Sequence, residues 1–283
     1  MVSAIKLYVI TKRTIIAVAA AVVAVILIVA AIVMIARNDS PAFSQAVDTE
    51  WPDVEAYELE VIAAARRELP IYNVGREDNK IALTIDAAWE DSRTIEILDI
   101  LDDAQIKATW FLCGFWVKNC PDAVKELQKR GHEIGNHSAT HPHMSKQSAA
   151  QIAKELSDMD DSLEKVIGKR STLFRAPFGE YDDNVIRTAR SAGYEVVQWD
   201  VDTIDWKEGT SVDFVIERVL SKTKSGSIIL CHNNAQYIVD YLPKLISALK
   251  EKGFVFVKVS EMILPGDTTI DPNGTQHKAE KSA

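Results

Sequence analysis

Short apolar runs alternate with segments of helical periodicity from Lys80 onward. Each run is bounded by charged or turn-forming residues, a pattern typical of strands buried on both faces. The segments between the runs place apolar residues three and four positions apart, which predicts amphipathic helices. The predicted strands are residues 81–85, 108–112, 133–135, 173–174, 195–199, 227–230 and 254–257. The predicted helices are residues 92–101, 121–130, 148–167, 183–192, 212–221 and 241–252.

Several predicted helices carry signals at their ends. Ser92 is the predicted N-cap of the first helix, since a side-chain hydroxyl can accept a hydrogen bond from the first turn. Pro121 suits the first turn of the second helix, where no backbone donor is needed. Gly131, Gly168 and Gly193 follow helices and predict left-handed C-terminal stops.

The repeated order of strand and helix predicts an α/β fold with parallel strands and right-handed crossovers. An incomplete (β/α) barrel of about seven strands fits the number of repeats better than a full eightfold barrel does. A doubly wound open sheet is the alternative. No GxGxxG or GxxxxGK[ST] motif follows a strand, which argues against a nucleotide-binding protein.

The N-terminal region has a different pattern. Residues 14–36 are uncharged and rich in Ala, Val and Ile, and they are long enough to cross a bilayer as one helix. Lys6, Lys12 and Arg13 precede them, so the positive-inside rule predicts a single-pass plasma-membrane protein with a cytoplasmic N-terminus. The predicted segments are a cytoplasmic N-terminus (1–13), a transmembrane helix (14–36), a linker with a lead-in helix (37–70), an extracytoplasmic domain (71–264) and a polar, mobile tail (265–283).

The charge balance narrows the choice of partners. The whole chain has a formal net charge of −9, and its first 37 residues contain four basic and no acidic side chains. The exterior part is therefore more acidic still, which argues against nucleic acid or anionic lipid as a ligand. Cys113, Cys120 and Cys231 are odd in number and irregularly spaced. Buried free thiols are therefore favoured over a Cys113–Cys120 disulfide.

Three of the six histidines lie within seven residues. His137 and His141 are four apart and directly follow the predicted strand 133–135, and His143 comes two residues later. Neutral imidazoles are common ligands of divalent cations, and zinc is held by such nitrogens at roughly 2.0–2.1 Å. An HxxxH pair is a weak signal by itself, because a polar loop with scattered histidines has the same letters.

Polar residues also follow the other predicted strands. They are Asp86 after the first strand, Arg175 after the fourth, Asp202 and Asp205 after the fifth, and His232 after the sixth. Each alone is ordinary, since an Asp after a strand is usually a turn or cap residue. In a parallel barrel, however, all these positions open on one rim, where such folds have their active sites. The shared position predicts a metal-dependent hydrolase.

The sequence resembles the polysaccharide deacetylases of carbohydrate esterase family four, which share the NodB-homology domain. The resemblance runs from about Ile71 to Leu264. Its motifs are Thr84-Ile85-Asp86, His137-xxx-His141, Arg175-Ala176-Pro177-Phe178-Gly179, Asp202-Thr203-Ile204-Asp205-Trp206 and Leu230-Cys231-His232. The segments Ile-Tyr-Asn-Val and Asp-Ala-Ala-Trp are similar to the membrane-anchored subgroup associated with sporulation and cell-wall remodelling.

The resemblance implies removal of acetyl groups from an N-acetylated polysaccharide, either peptidoglycan or chitin-like oligomers. It implies a divalent metal on His137 and His141, most often zinc, with cobalt or another divalent ion as alternatives. Asp86 would be the general base, held ionised by Arg175. His232 would be the general acid, and Asp205 would align it.

The resemblance also implies a set of substrate-binding residues. Leu230 and Trp206 would form the walls of the slot for the acetyl methyl group. The loop after the fourth strand would add substrate contacts from Pro177, Phe178 and Tyr181. An esterase that removes O-acetyl groups would use the same site.

Two positions depart from the family pattern. The family has an acid as third metal ligand directly after the base, and this chain has Ala87 there. Waters or His143 would then complete the metal site, or the metal would bind weakly or be absent. Asp86 could also be a ligand, but it would then be lost as the base. Asn233 replaces an acid that often follows the catalytic histidine, a smaller change. Ala87 supports the alternative of a non-catalytic saccharide-binding relative, whereas a pure binder would not need Asp86, Arg175 and His232 together.

Overall fold

The computed structural model describes residues 67–90 and 92–279. The predicted transmembrane helix and most of the linker with its lead-in helix lie outside these residues. The described part of the chain contains no helix that is both long and apolar enough to cross a membrane.

Strands and helices alternate along most of the described chain. The strands are β1 (Asn73–Val74), β2 (Lys80–Ala87), β3 (Thr109–Leu112), β4 (Glu133–Asn136), β5 (Leu173–Phe174), β6 (Glu195–Val196), β7 (Val201–Asp202), β8 (Ile228–His232), β9 (Val255–Phe256), β10 (Thr268–Ile270) and β11 (Thr275–Lys278). The helices are α1 (Thr94–Asp103), α2 (Gly114–Asn119), α3 (Pro121–Lys129), α4 (Ala149–Ile167), α5 (Asp183–Ser191), α6 (Val212–Lys222), α7 (Ile238–Glu251) and α8 (Val259–Met262).

The main sheet is an incomplete barrel. Seven strands are hydrogen-bonded in the order β6-β5-β4-β3-β2-β8-β7, and β9 adds a short pairing with β2. Every one of these pairings is parallel. In the residues that the structure describes, β6 and β7 end the row without pairing to each other, so the barrel stays open. The predicted fold of about seven parallel strands is confirmed.

Strand β2 is the centre of the core. Seven of its eight residues are buried, because β3 and β8 cover its two edges and helices cover the outer face of the barrel. Its register places Asp86 opposite His232 of β8 and opposite Phe111 of β3. The carboxyl ends of the central strands therefore lie side by side, which is the condition for a shared site at that edge.

The capping signals hold for most helices. Ser148 and Gln151 form a capping box at the start of α4, and Gly168 ends that helix in the left-handed conformation. Ser92 is an exception, because α1 begins at Thr94 and its N-cap, Arg93, makes no side-chain cap hydrogen bond. The Arg93 side chain donates instead to the carbonyl oxygen of Ala235, at 2.6 Å. Helix α7 begins at Ile238, three residues before the predicted start.

The C-terminal segment is not the mobile tail that its polarity suggested. Strands β10 and β11 form an antiparallel hairpin, and β11 pairs in parallel with β1. The turn is held by Asp271, whose Oδ1 accepts hydrogen bonds from the backbone of Asn273 (2.8 Å) and Thr275 (3.0 Å). The buried Gln276 side chain accepts from the Leu264 backbone at 2.8 Å. Long-range pairing therefore orders a segment whose composition is polar.

Gly226 and Gly209 have similar backbone angles but differ in how closely other atoms approach them. Gly226 has φ +84°, and a Cβ there would lie 1.7 Å from the carbonyl oxygen of Val74. Gly209 has φ +80°, and a Cβ there would meet nothing within 4 Å. We expect Gly209→Ala to cost only the left-handed strain of about 1–2 kcal/mol. Gly226→Ala should cost roughly 1–3 kcal/mol more, because β1 must move.

The measurement is the free energy of unfolding of both variants by chemical denaturation. Equal losses in the two alanine variants would contradict the close approach of residue 226 to β1.

Candidate active site

Polar side chains from four strand ends meet in one cleft of about 460 Å³. Asp86 comes from the end of β2 and His232 from the end of β8, while Asp202 ends β7. His137 and His141 follow β4. The cleft is lined by Asp86, Ala88, Trp89, His137, His141, Phe178, Trp199, Asp202, Trp206, Leu230, His232 and Asn234. The structure thus brings together side chains from four strand ends that are far apart in the sequence.

A buried ion pair holds the carboxylate of Asp86. The Arg175 guanidinium is fully buried, and its Nη1 donates to Asp86 Oδ1 at 2.7 Å and to Thr84 Oγ1 at 2.8 Å. Its Nη2 donates to the carbonyl oxygen of Gln198 at 3.1 Å. The guanidinium carbon also lies 4.1 Å from the centre of the Phe111 ring. These contacts fix the orientation of one carboxylate oxygen and leave the other directed elsewhere.

The protonation state of Asp86 follows from two opposing effects. Burial by itself would raise the pKa of this carboxyl, because a low dielectric disfavours the charged form. The positive charge of Arg175 and its hydrogen bond outweigh burial, so the pKa of Asp86 lies below its ordinary value. Asp86 is therefore an ionised carboxylate at neutral pH, able to accept a proton.

The pKa of His232 is raised, whereas that of Asp86 is lowered. Burial disfavours the imidazolium, yet the hydrogen bond and charge of Asp205 raise the pKa of His232 above its ordinary value. Its Nδ1 lies 2.7 Å from Asp205 Oδ1. The other oxygen of Asp205 accepts from the His232 backbone at 3.0 Å and from the Tyr241 hydroxyl at 2.5 Å. With Nδ1 bound to Asp205, Nε2 is the nitrogen available to a ligand in the cleft.

The HxxxH pair consists of two neutral imidazoles. Burial lowers the pKa of His137, and burial together with the nearby His137 lowers the pKa of His141 to about 4. His137 Nδ1 lies 2.8 Å from the carbonyl oxygen of Arg175, which makes it the donor and leaves the Nε2 lone pair free. Nδ1 of His141 is buried without a hydrogen-bond partner. Neutral rings with free lone pairs are suited to bind a cation.

Comparison with known proteins places this cleft in a family. A sequence model of polysaccharide deacetylases matches residues 73–197. Over 197 residues the chain is 36% identical to a peptidoglycan-N-acetylglucosamine deacetylase of Bacillus cereus, covering 68% of this chain and 92% of that protein. The chain belongs to the polysaccharide deacetylase family. The resemblance to the polysaccharide deacetylases is thereby confirmed, and the family is one of enzymes.

Two further proteins are similar to this chain, one named as uncharacterized and the other described as a pseudoenzyme. It is 37% identical to the uncharacterized protein YlxY of Bacillus subtilis, covering 69% of this chain and spanning 60% of that protein. It also superposes with a TM-score of 0.66 and 33% identity on a crystal structure from Bacillus anthracis, covering 68% of each chain. That protein is described as a pseudoenzyme of carbohydrate esterase family four, and a mutant of it is described as having restored enzymatic activity.

The donor set of this family member fits a divalent cation. In the part of the chain that the structure describes, one group of three ligand-type side chains gathers closely enough to hold a metal: Cys113, His137 and His141, with ligand atoms within 4.8 Å of one another. The unpartnered Nδ1 of His141 marks a polar group that no protein atom satisfies. Ala87 offers no ligand atom. His143 is not in the group, because its Nδ1 lies 2.7 Å from Glu180 and its ring stacks on Phe178.

Aromatic side chains form the walls of the cleft. Trp206, Phe178 and Trp89 are 63%, 54% and 53% exposed, which is unusual for such large apolar groups. The rings of Trp89 and Phe178 lie 4.9 and 4.4 Å from the His141 ring, between centroids. Trp199 and Leu230 complete the lining. Exposed flat rings beside polar groups are suited to contact the faces of sugar rings.

Two predicted substrate contacts lie away from this lining. Pro177 is buried at the first position of a short 3-10 turn. The hydroxyl of Tyr181 is hydrogen-bonded to that of Tyr72 at 2.8 Å, so its ring packs towards β1. Phe178 is the residue of this loop that reaches the cleft, because its left-handed backbone (φ +59°) turns its side chain outward.

Backbone strain is concentrated around the cleft. Ser138, His141, Phe178 and Ile204 all have φ between +55° and +67°. Such angles are rare for residues with a Cβ, above all for β-branched Ile204, and each costs on the order of 1–3 kcal/mol. Ile204 is held by a hydrogen bond from its backbone to Asp202 Oδ1 at 2.7 Å. The strain sets the directions of His141, Phe178 and the loop that carries Asp205.

The sequence motifs do not include one candidate ligand and one wall residue of the cleft. No motif residue comes from the end of β3, yet Cys113, which directly follows β3, is the residue that joins the histidines. Its position at a strand end was the available signal. Trp199 is predicted to lie inside strand 195–199, whereas β6 ends at Val196 and Trp199 lines the cleft. A lone Trp in a sequence does not reveal whether it faces a cleft.

The Asp205 contact accounts for the raised pKa of His232, and replacement of this acid tests it. In Asp205→Asn we expect the pKa of His232 to fall below the ordinary value of ~6.5, because burial then dominates. Asp202→Asn is the matched control, since it removes a nearby charge that is not hydrogen-bonded to the ring, and a smaller fall is expected. Both values are measured by NMR titration of the imidazole. An unchanged pKa in Asp205→Asn would refute the assigned pairing.

Proposed function

We propose that this protein is a metal-dependent hydrolase that removes acetyl groups from N-acetylated sugars of a polysaccharide, with peptidoglycan as its substrate. The observation that carries the proposal is the pairing of a base and an acid in one cleft. Asp86 has a lowered pKa and His232 a raised pKa, and groups whose environments separate their pKa values in this way serve as base and acid.

The base side of the reaction falls to Asp86. Hydrolysis of an amide needs an activated water, and Asp86 Oδ2, which is not bound to Arg175, is the atom that accepts the water proton. Arg175 keeps the carboxylate ionised and stops it from rotating. When bound at His137 and His141, a divalent cation, zinc by preference, would polarise the acetyl carbonyl and lower the pKa of the attacking water.

The acid side falls to His232. The leaving nitrogen of an amide must gain a proton before it can depart, and Nε2 of protonated His232 is the donor in the cleft. Asp205 holds the ring in place and stabilises its positive charge. The Tyr241 hydroxyl in turn fixes the second oxygen of Asp205. This chain of contacts keeps the imidazole charged and oriented until it gives up its proton.

The walls support a sugar substrate. Leu230 and Trp206 line the cleft and would enclose the acetyl methyl group, and the exposed rings of Phe178 and Trp89 would contact neighbouring sugars. The Bacillus cereus relative, at 36% identity, is named for peptidoglycan N-acetylglucosamine. N-acetylglucosamine residues of peptidoglycan are therefore the proposed substrate, and O-acetyl groups on the same polymer are a substrate that the site chemistry also allows.

A second candidate function is saccharide binding without catalysis. Ala87 removes an acidic ligand from the position next to Asp86, and the chain is similar to a protein described as a pseudoenzyme. Such a binder would retain the aromatic walls. It would have no use for the buried Arg175–Asp86 pair, which is costly to desolvate. The ion pairs therefore favour the hydrolase.

Acetate release by the purified full-length protein separates the two functions. The protein is stripped with a chelator and supplied with zinc, cobalt or no metal, on N-acetylglucosamine oligomers and on peptidoglycan. We expect acetate only with metal, and a loss of about 10²–10⁴-fold in Asp86→Asn, since the general base is removed. Asp200→Asn is the matched control, because Asp200 instead accepts from Ser227 and the Ile228 backbone. Sugar binding without acetate under any metal would establish the binder.

The proposed site of action is outside the cytoplasm, at the cell wall, including its remodelling during sporulation. The uncharged stretch 14–36 and the basic residues before it support a membrane anchor with the domain outside. We expect the full-length protein in the membrane fraction, released by detergent but not by high salt. Protease added to intact spheroplasts should remove a C-terminal epitope and spare a cytoplasmic marker. An epitope protected until lysis would contradict the orientation.

A further inference from the structure

The cysteine after β3 lies beside Ala87, the position at which this chain lacks an acidic ligand. Position 87 carries a methyl group, and the neighbouring strand places Cys113 beside it, since the Cys113 backbone donates to the Ala87 carbonyl oxygen at 3.0 Å. The side chain of Cys113 is fully buried. A thiol thus lies beside a pair of imidazoles, one residue beyond Leu112, which is the partner of Ala87 in the ladder.

We propose that Cys113 is the third protein ligand of the metal, so that the ion is held by one sulfur and two imidazole nitrogens. The proposal rests on the metal requirement of the proposed function, but it concerns which atoms bind the ion. The ligand atoms of Cys113, His137 and His141 lie within 4.8 Å of one another. Small side-chain rotations would bring them to the bonding distances of zinc, roughly 2.0–2.1 Å for nitrogen and 2.3 Å for sulfur.

The surroundings of the thiol agree with this role. Cys113 Sγ donates a weak hydrogen bond to the His137 carbonyl oxygen at 3.3 Å, which directs it towards the loop that carries both histidines. Nδ1 of His141 is buried and unpartnered, an independent sign of an unfilled polar position. On binding, the S–H bond breaks, its proton passes to solvent, and a sulfur–metal bond forms. The cation supplies the nearby positive charge that stabilises a thiolate in a buried position.

Sulfur changes which metals the site selects. A site of two imidazoles and a carboxylate accepts a broad range of divalent ions, whereas a thiolate favours zinc, cobalt and other thiophilic ions over magnesium or calcium. The exchange of an oxygen ligand for sulfur would thus preserve a zinc site in this chain despite Ala87. Three protein ligands leave one tetrahedral position open, as in catalytic zinc sites.

Cobalt binding reports the sulfur directly. Chelator-stripped full-length protein is titrated with Co²⁺, and its near-ultraviolet absorption is recorded, where a thiolate bound to cobalt gives a charge-transfer band. We expect the wild-type band to saturate at one ion per chain. Cys113→Ser should lose the band and bind cobalt at least roughly 10–100-fold more weakly. Cys120→Ser is the matched control and should keep both, because Cys120 lies outside the ligand group.

A carboxylate variant distinguishes loss of the sulfur ligand from a folding defect. Cys113→Asp should bind cobalt more tightly than Cys113→Ser but without the sulfur band, and circular dichroism should show all variants folded. Cobalt binding by wild type without a sulfur band, an unchanged affinity in Cys113→Ser, or no binding at all would each overturn the proposal. Acetate release with metal but without the band would leave the deacetylase standing and remove only this ligand. A sulfur–cobalt band without acetate release would support Cys113 as a ligand and contradict the deacetylase function.

Discussion

The buried ion pair between Arg175 and Asp86 is the contact on which the rest of the cleft depends. Two charges removed from water are costly unless further hydrogen bonds satisfy them, and Arg175 is accordingly tied to Thr84, Asp86 and the Gln198 carbonyl. The carbonyl oxygen of the same residue fixes the His137 ring. One buried side chain and its own backbone therefore hold the proposed base and one proposed metal ligand in register, across three different strands.

Burial and a nearby opposite charge together set the protonation states of Asp86 and His232. Burial raises the pKa of an acid and lowers that of an imidazole, so burial alone would neutralise both Asp86 and His232. A partner of opposite charge reverses this in each case, Arg175 for the acid and Asp205 for the imidazole. For His137 and His141 burial outweighs the nearby Asp86 carboxylate, so their pKa values are lowered and the rings stay neutral. The cleft thus contains a proposed base, a proposed acid and two proposed metal ligands, each in the protonation state that its role requires.

Ala87 separates this chain from the pattern of its family and makes the metal the decisive question. The loss of one ligand need not remove a site, because neighbouring strand ends offer several side chains to the same volume. His143 was the substitute that its sequence position favoured, yet it lies against Glu180 and Phe178. Cys113 lies with the histidines instead. Similarity to both a named deacetylase and a described pseudoenzyme is consistent with a cleft in which few positions separate activity from binding.

The sequence by itself determined most of the parallel strands, most helix ends and the positions of Asp86, His137, Arg175 and His232 after strands, but not β7, which lies between β6 and Asp205. These follow from local signals, namely hydrophobic period, capping residues and motif spacing, which here agree with the tertiary contacts. Only the tertiary structure decided that Cys113 joins the histidines, that Tyr181 turns to Tyr72 and that the polar C-terminus pairs with β1. Each of these depends on register and side-chain direction between segments far apart in the chain. A side chain's neighbours across a sheet are set by the packing of the whole domain, so a local sequence pattern does not predict them.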